Sequence, residues 1–184
     1  MSNNKENLLK SIEEFLFSEE KCMFITGTNQ YKKHIMVMAA LDHLKPKSHI
    51  LFRSSTMQNL LDREFLGRFI LKQPKIGQVF KIENNIYEAD TFTNSSSWHR
   101  SSREFDYAIF YPIDSIARGD TNIKCIDNLF ADKKIGKVFL VSWTDRNYDY
   151  SIFDKYVNRM CIYDAEEEDI EYHKRVLDII SSLN

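Results

Sequence analysis

The feature that most constrains this chain is an apolar segment, Lys21 to Thr26, that ends at Gly27 and is soon followed by a long apolar helix. The segment shows almost no alternation, which is typical of a strand covered on both faces in a parallel sheet. Residues 31–44 are predicted as the helix, apolar nearly all round and ended by Pro46. A buried strand, a glycine turn and a buried helix predict an α/β fold with the first strand at the centre of the sheet.

The rest of the chain repeats this alternation of strand and helix. The remaining predicted elements are a helix at 5–18, strands at 49–53, 105–111, 137–142 and 159–163, helices at 57–65 and 121–131, and a final helix to residue 183 that Asp164 and Glu167 begin as a capping box. This order predicts a mainly parallel five-stranded sheet with helices on both faces and right-handed crossovers.

In such a sheet, ligands bind beyond the carboxyl ends of the strands. We therefore expect four segments to gather at one edge: Gly27–Lys33, Arg53–Ser55, Tyr111–Asp114 and Ser142–Asp145.

A β-hairpin is predicted as an insertion near residues 78–90. Asn84 and Asn85 tolerate positive φ and suit a two-residue turn. Pairing Ile82 with Tyr87 would place apolar side chains on one face, while Lys81 opposite Glu88 would form a charge pair on the other.

Composition limits the function classes. The chain has 184 residues, of which 43% are hydrophobic, and no Gly/Ser/Pro linker divides it, so we expect a single domain over 1–184. The net charge of −2 gives no global basic field that would indicate nucleic acid. The polar start and the absence of a long apolar run predict no membrane association and a cytoplasmic location. The three cysteines are far apart, so we expect buried thiols and no metal site.

The segment after the first strand has the layout of a phosphate-binding loop, a strand and tight turn before a helix N-terminus. In the pattern G-x-x-x-x-G-K-[ST], Gly27 and Lys33 match, but Lys32 replaces the second glycine and His34 replaces the hydroxyl residue. Further along, the sequence IFYPIDSIA at 109–117 is similar to the Walker B segment FIDEIDSIA of AAA+ proteins.

Over roughly residues 20–180 the chain resembles a P-loop NTPase of the AAA+, helicase and terminase class. The segment Val141–Arg146 resembles the fourth-strand region, where AAA+ proteins place a polar sensor, and no room remains for their helical lid domain. The hairpin, the Ser-rich loop and the sequence REFDY at 103–107 look like helicase and terminase motors. The resemblance does not separate these subfamilies.

Hydrolysis in this class requires a Walker B aspartate for Mg²⁺ and a neighbouring glutamate that activates water. The resemblance places these roles at Tyr111 and Pro112, which can perform neither. With both motifs degenerate, we expect no catalytic residue and no cofactor. The resemblance implies a catalytically inactive binding, adaptor or regulatory subunit, whose protein partners form a larger assembly that handles nucleic acid or is built from active relatives.

Two alternatives stay open. In the first, the chain would be a divergent enzyme that binds ATP or GTP through Gly27, Lys33 and Asp114. In the second, it would be a nucleic-acid-binding protein. Lys33 would either neutralise a phosphate or be a solvated charge, and Asp114 would either bind a metal or cap a helix. Trp143 would either stack on a base or pack against a neighbouring loop.

The nucleic-acid alternative rests on the loop 95–103, which contains Trp98, His99, Arg100 and Arg103. Arginine beside an aromatic ring suits single-stranded nucleic acid or a protein hot spot, although an ordinary polar loop has the same composition. The resemblance also places Arg159 at an arginine-finger-like position, where a surface residue is the alternative.

Overall fold

Strands and helices alternate through the computed structural model, which describes residues 3–119, 123–143 and 148–182. The strands are β1 (Cys22–Thr26), β2 (His49–Ser54), β3 (Phe80–Ile82), β4 (Asn85–Thr91), β5 (Glu104–Phe110), β6 (Lys134–Val141) and β7 (Arg159–Ile162). The α-helices are α1 (Lys5–Leu16), α2 (Lys33–Leu44), α3 (Asp114–Ala117), α4 (Lys124–Ala131) and α5 (Ile170–Ser182).

The strands form one sheet in the order β3-β4-β2-β5-β6-β1-β7. Only β3 is antiparallel to its neighbour in the described sheet, so the prediction of a mainly parallel sheet is confirmed. The predicted hairpin extends the five other strands at one edge, because β4 pairs in parallel with β2. The expectation that β1 is central is wrong, since β1 lies between β6 and β7, next to an edge strand.

The hairpin exists, but its predicted register is wrong. Tyr87 pairs with Phe80 instead of Ile82, and Ile82 pairs with Asn85. The turn is formed by residues 83–84, with Glu83 at a φ of 49°. Asn85 is buried in β4, where its side-chain oxygen accepts a hydrogen bond from Ser48 N at 2.8 Å. This contact holds Asn85 in the strand and shifts the pairing by two residues.

Two predicted helices are shorter than expected. The segment predicted as a helix over 57–65 contains a single 3₁₀ turn, Gln58–Leu61. The final helix begins at Ile170, and Asp169 caps it by accepting from Tyr172 N at 2.9 Å. Asp164 and Glu167 therefore form no capping box. The predicted helix residues 121, 122 and 183 lie outside the described residues.

Helices cover both faces of the sheet, as predicted. On one face, α1 and α2 pack with apolar side chains of the sheet, and on the other α4 packs over β5 and β6. Cys22 and Cys125 are buried free thiols, and burial raises the pKa of each to about 12. Cys161 is half-buried.

Arg53 was expected at the ligand-binding edge, but its side chain lies in the interior. Its guanidinium pairs with Asp90 through two contacts, Nε to Oδ1 at 2.6 Å and Nη2 to Oδ2 at 2.8 Å, and both side chains are fully buried. It also donates to Cys125 O at 2.8 Å and to Asn128 Oδ1 at 3.0 Å. The hydroxyl of Ser101 donates to Asp90 Oδ2 at 2.7 Å. This network joins β2, β4, α4 and the loop before β5.

We expect Arg53→Met to lower the free energy of unfolding by about 3–5 kcal/mol, because it leaves the Asp90 carboxylate buried without its cation. Urea unfolding measures the loss. The matched control is Glu104→Gln, which removes an exposed ion pair with Lys134 at 3.6 Å and should cost less than about 1 kcal/mol. Equal losses in the two variants would contradict a structural role for the buried pair.

Candidate functional site: the loop after the first strand

The turn after β1 is held against the chain that follows β7. Gly27 has a φ of 117°, and a Cβ added there would lie 2.2 Å from the carbonyl oxygen of Tyr163. The atoms that this Cβ would meet belong to the backbone, so they have little freedom to move. Glycine is therefore required at this position both for its conformation and for the close approach of the two segments.

The loop residues after Gly27 use their N–H groups inside the protein. Thr28 N donates to Asp164 Oδ1 at 2.9 Å, and Asn29 N donates to Tyr163 O at 3.2 Å. Gln30 N donates to the hydroxyl of Tyr172 at 3.4 Å. Three consecutive donors of the candidate phosphate loop thus already have acceptors, and one of them is a carboxylate.

Side chains strengthen this contact between the loop and the C-terminal segment. The Thr28 hydroxyl lies 2.7 Å from His173 Nδ1 and accepts from Ala165 N at 3.0 Å. Lys32 pairs with Glu168 at 2.5 Å, and the Tyr163 hydroxyl also donates to Glu168. The pKa of Glu168 is lowered by Lys32 and Tyr163, against an opposing effect of burial. These partners could not be predicted from the sequence, because they lie more than a hundred residues from the loop and no local pattern signals the contact.

Lys33 is fully buried instead of solvated. Its ammonium group donates to the carbonyl oxygen of Gly27 and to that of Trp143 at 3.3 Å. The side chain therefore bridges the residue after β1 and the second residue after β6 from within the fold. The protein's own carbonyl groups thus accept hydrogen bonds from Lys33, the residue that matches the lysine of the phosphate-loop pattern.

The ring of Tyr111, at the predicted metal-binding position, is fully buried and stacks on His34 with centroids 3.9 Å apart. The Tyr111 hydroxyl donates to Gln30 O at 3.2 Å, and burial raises its pKa well above the ordinary value. His34 is enclosed by Phe52, Phe65 and Tyr111. Burial lowers the pKa of His34 to about 3, so its imidazole is neutral at physiological pH.

Asp114 begins α3, but the residue at the cap position is Ile113. The Asp114 carboxylate accepts a hydrogen bond from Trp143 N at 2.7 Å, which joins the segment after β5 to the end of β6. The Trp143 ring lies 6.2 Å from Tyr31, so it packs against the loop after Gly27. Thr144, Asp145 and Arg146, which belong to the predicted sensor region, lie outside the described residues.

The structure thus brings three of the four expected segments together beside Gly27. In the fourth segment, Arg53–Ser55, the Arg53 side chain points into the interior and pairs with Asp90. Lys33, Asp114 and Trp143 are linked through the backbone of Trp143. Among the described residues, no group of three or more potential ligands is arranged to hold a metal ion.

The predicted partner-binding residues lie away from this loop. Trp98 is half-buried, donates its indole N–H to Thr91 O at 2.7 Å and lies 5.3 Å from the Arg53 guanidinium. His99, Arg100 and Arg103 are exposed. Arg159, at the amino end of β7, pairs with Glu20 at 2.7 Å and Glu14 at 2.9 Å. Arg159 is therefore tied to α1 and to the loop that leads into β1, away from the carboxyl ends of the strands.

No protein family model matches the chain, and no curated protein matches it either. The fold is similar to that of the large terminase from the thermophilic bacteriophage D6E, with a TM-score of 0.61 and 12% identity over the whole chain. A second structure of that terminase, in complex with ADP, matches with a TM-score of 0.52 and 12% identity. The chain spans about half the length of these terminase chains, 51% and 50%. The chain therefore has a terminase-like α/β fold.

No helix in the described parts of the chain is long and apolar enough to cross a membrane.

We expect Gly27→Ala to destabilise the fold by more than about 2 kcal/mol, since it adds a collision with the Tyr163 backbone to the cost of positive φ. Gly119→Ala is the matched control. Gly119 has a φ of 81° but nothing within 4 Å of an added Cβ, so only the conformational cost of about 1 kcal/mol applies. Chemical unfolding of both variants tests the contact, and equal losses would show that the loop can separate from Tyr163.

His34 should make stability depend on pH. Its folded-state pKa of about 3 lies below the unfolded value of about 6.5, so the unfolded chain binds the proton first and stability falls as pH decreases below about 6.5. The expected loss is at most about 1.4 kcal/mol per pH unit. His34→Phe, which keeps an aromatic ring in the stack, should show a shallower decline in urea unfolding between about pH 6.5 and about pH 4.

The exposed His43 provides the control for this experiment. His43→Gln, which removes an exposed imidazole from the same helix, should change the free energy of unfolding at pH 7 by less than about 0.5 kcal/mol. If His34→Phe and the parent protein lose stability in parallel, His34 is not the group that titrates.

Proposed function

We propose that this chain is a non-hydrolytic P-loop-like domain that acts as a binding or adaptor module in a larger assembly that handles nucleic acid. The observation that carries the proposal is the engagement of the Gly27 loop by the protein's own C-terminal segment. Thr28 N already binds the carboxylate of Asp164, so an acidic group lies beside the loop where an anionic ligand would approach.

Phosphate binding at a P-loop depends on unpaired backbone N–H groups and a lysine that faces the ligand. Here the N–H groups of Thr28, Asn29 and Gln30 have acceptors, and the Lys33 ammonium is directed at backbone carbonyls. A nucleotide would have to displace these contacts before it gained its own. The free energy needed to open the loop would therefore weaken nucleotide binding.

Mg²⁺ requires oxygen ligands, most often carboxylates, near the nucleotide phosphates. Tyr111 offers a neutral phenol whose hydrogen is donated to Gln30 O, and its ring is stacked on His34. Pro112, at the position of the water-activating residue, has no group that accepts a proton. Asp114 follows two residues later, and Trp143 N occupies one of its carboxylate oxygens. These residues do not fit a Mg-nucleotide site.

The fold supports the proposal that the chain has protein partners. The terminase that the chain resembles is about twice as long, so this fold occurs there as part of a larger protein. A domain of this kind that lacks hydrolysis would contribute binding surfaces and positioning. The protein partners would be further components of such an assembly.

The test is thermal unfolding with Mg-ATP and with Mg-GTP, together with phosphate release. A ligand at about 100 times its Kd stabilises the native state by about 2.7 kcal/mol, which corresponds to a rise in Tm of roughly 5–10 °C for a chain of this size. We expect no such rise and no release of phosphate.

Lys33→Met is the diagnostic variant, because it removes the ammonium group while it keeps an apolar stem in a buried site. A rise in Tm in the parent protein that disappears in Lys33→Met would overturn the proposal in favour of a divergent NTP-binding enzyme that uses Lys33. Phosphate release by the parent protein would overturn it as well.

A further inference from the structure

Two stretches of this weakly acidic chain contain no acidic residue at all. The first, residues 65–82, contains Arg68, Lys72, Lys75 and Lys81, and the second, residues 91–103, contains Arg100 and Arg103. Because the whole chain has 25 basic and 27 acidic side chains, these stretches are a strong local departure from its average. The second stretch includes the loop 95–103 that was predicted to bind a partner, whereas no binding role was predicted for the first.

The structure brings the two stretches together beside the β3 edge of the sheet. The backbone of Gly77 packs so closely on that of Arg100 that an added Cβ would lie 2.0 Å from Arg100 O. Between the two segments lies a cleft of about 620 Å³. Three cations line it, Lys72, Lys75 and Arg100, and its wall includes the apolar side chains Ile70, Ile76 and Phe80.

The three cations of the cleft differ from three other basic side chains that are held by ion pairs. Arg53, Arg159 and Lys32 have carboxylate partners. None of the ion pairs between described residues involves Lys72, Lys75 or Arg100, and all three side chains are exposed. Their charges are therefore available to an external anion.

A second groove at the amino ends of β5 and β6 shows the contrast. It also contains lysines, but Glu104 and Asp106 line it with them, and Lys134 already lies 3.6 Å from Glu104. That groove has mixed charge and no preference for an anionic partner. The cleft beside β3 contains no carboxylate among its lining residues.

We propose that the cleft formed by residues 70–78 and Arg100 binds single-stranded nucleic acid. Phosphodiester groups are the complement of free Lys and Arg side chains, and apolar or aromatic walls accept unstacked bases and sugars. Phe80 is half-buried and stacks on Tyr87 at 5.9 Å, so its ring is held at the cleft instead of rotating freely. A duplex presents its phosphates outside and its bases inside, and would therefore leave the apolar wall of the cleft uncovered.

This inference goes beyond the proposed function, because it places a nucleic-acid contact in a named cleft and requires nothing of the Gly27 loop. Nucleotide binding at the loop and oligonucleotide binding at the cleft are separate measurements. Either one can fail while the other holds.

The test is fluorescence anisotropy of a labelled oligothymidylate of about 20 nucleotides, titrated with the whole chain at several salt concentrations without nucleotide. With three phosphate contacts, log K should fall with log salt at a slope of about −2. The triple variant Lys72→Glu, Lys75→Glu and Arg100→Glu should bind at least about tenfold more weakly than the parent protein. The single variants Lys75→Gln and Arg100→Gln should each reduce the magnitude of the slope by about 0.7.

The matched control changes three exposed lysines elsewhere, Lys10→Glu, Lys134→Glu and Lys174→Glu, and alters the net charge by the same amount. It should retain more binding than the cleft variant does. Equal losses in the two triple variants would overturn the proposal, as would undiminished binding by a folded cleft variant.

Two competitors identify the class of partner. An unlabelled single strand should displace the probe at lower concentration than the corresponding duplex, and the reverse order would overturn the choice of single-stranded nucleic acid. Vesicles of phosphatidylserine and phosphatidylcholine should not bind the chain. If they bind in place of the oligonucleotide and the cleft variant abolishes that binding, the cleft is a lipid site and the proposal is wrong.

Discussion

The contact on which the site depends is the one between the backbone of Gly27 and that of Tyr163. It can form because β1 and β7 are adjacent parallel strands, so the segments that follow them leave the sheet side by side. Once the two backbones touch, Asn29 N reaches Tyr163 O and Thr28 N reaches the next residue, Asp164. The loop conformation is thereby fixed by the C-terminal segment of the same chain.

The position of α5 follows from this contact. Val176 is the one buried side chain among the residues of α5 that the structure describes, so its apolar face supplies little anchoring. Tyr172 and His173 instead attach the helix to Gln30 and Thr28. The loop and α5 therefore stabilise each other, and a substitution in either should destabilise both. The Arg53 network plays the corresponding role in the other half of the sheet, where it joins α4 to β2 and β4.

Strand and helix positions could be predicted from the sequence because they follow from local apolar patterns. The two central failures had long-range causes. The hairpin register depends on Asn85 accepting from Ser48, a contact between segments that no alternation pattern encodes. Asp164 was predicted to begin the final helix as part of a capping box, but its carboxylate accepts from Thr28 N instead.

The candidate site could be predicted only in part, for the same reason. The sequence showed which residue types were absent from the two motifs, because that requires only comparison with a pattern. It did not show that Lys33 is buried or that Tyr111 stacks on His34, since these contacts join segments far apart in the chain. Predicting them requires the strand order, and the sequence suggested the wrong place for β1.

The stack of Tyr111 on His34 also limits which substitutions this site can accept. An aspartate at position 111 would place a carboxylate in a fully buried, aromatic environment next to a neutral imidazole, and would leave a void where the ring had been. Stability would fall before any metal affinity was gained. A hydroxyl residue at position 34 would empty the other half of the same stack. Placing a carboxylate at position 111 and a hydroxyl at position 34 would therefore need coordinated replacement of both rings, because each ring packs against the other.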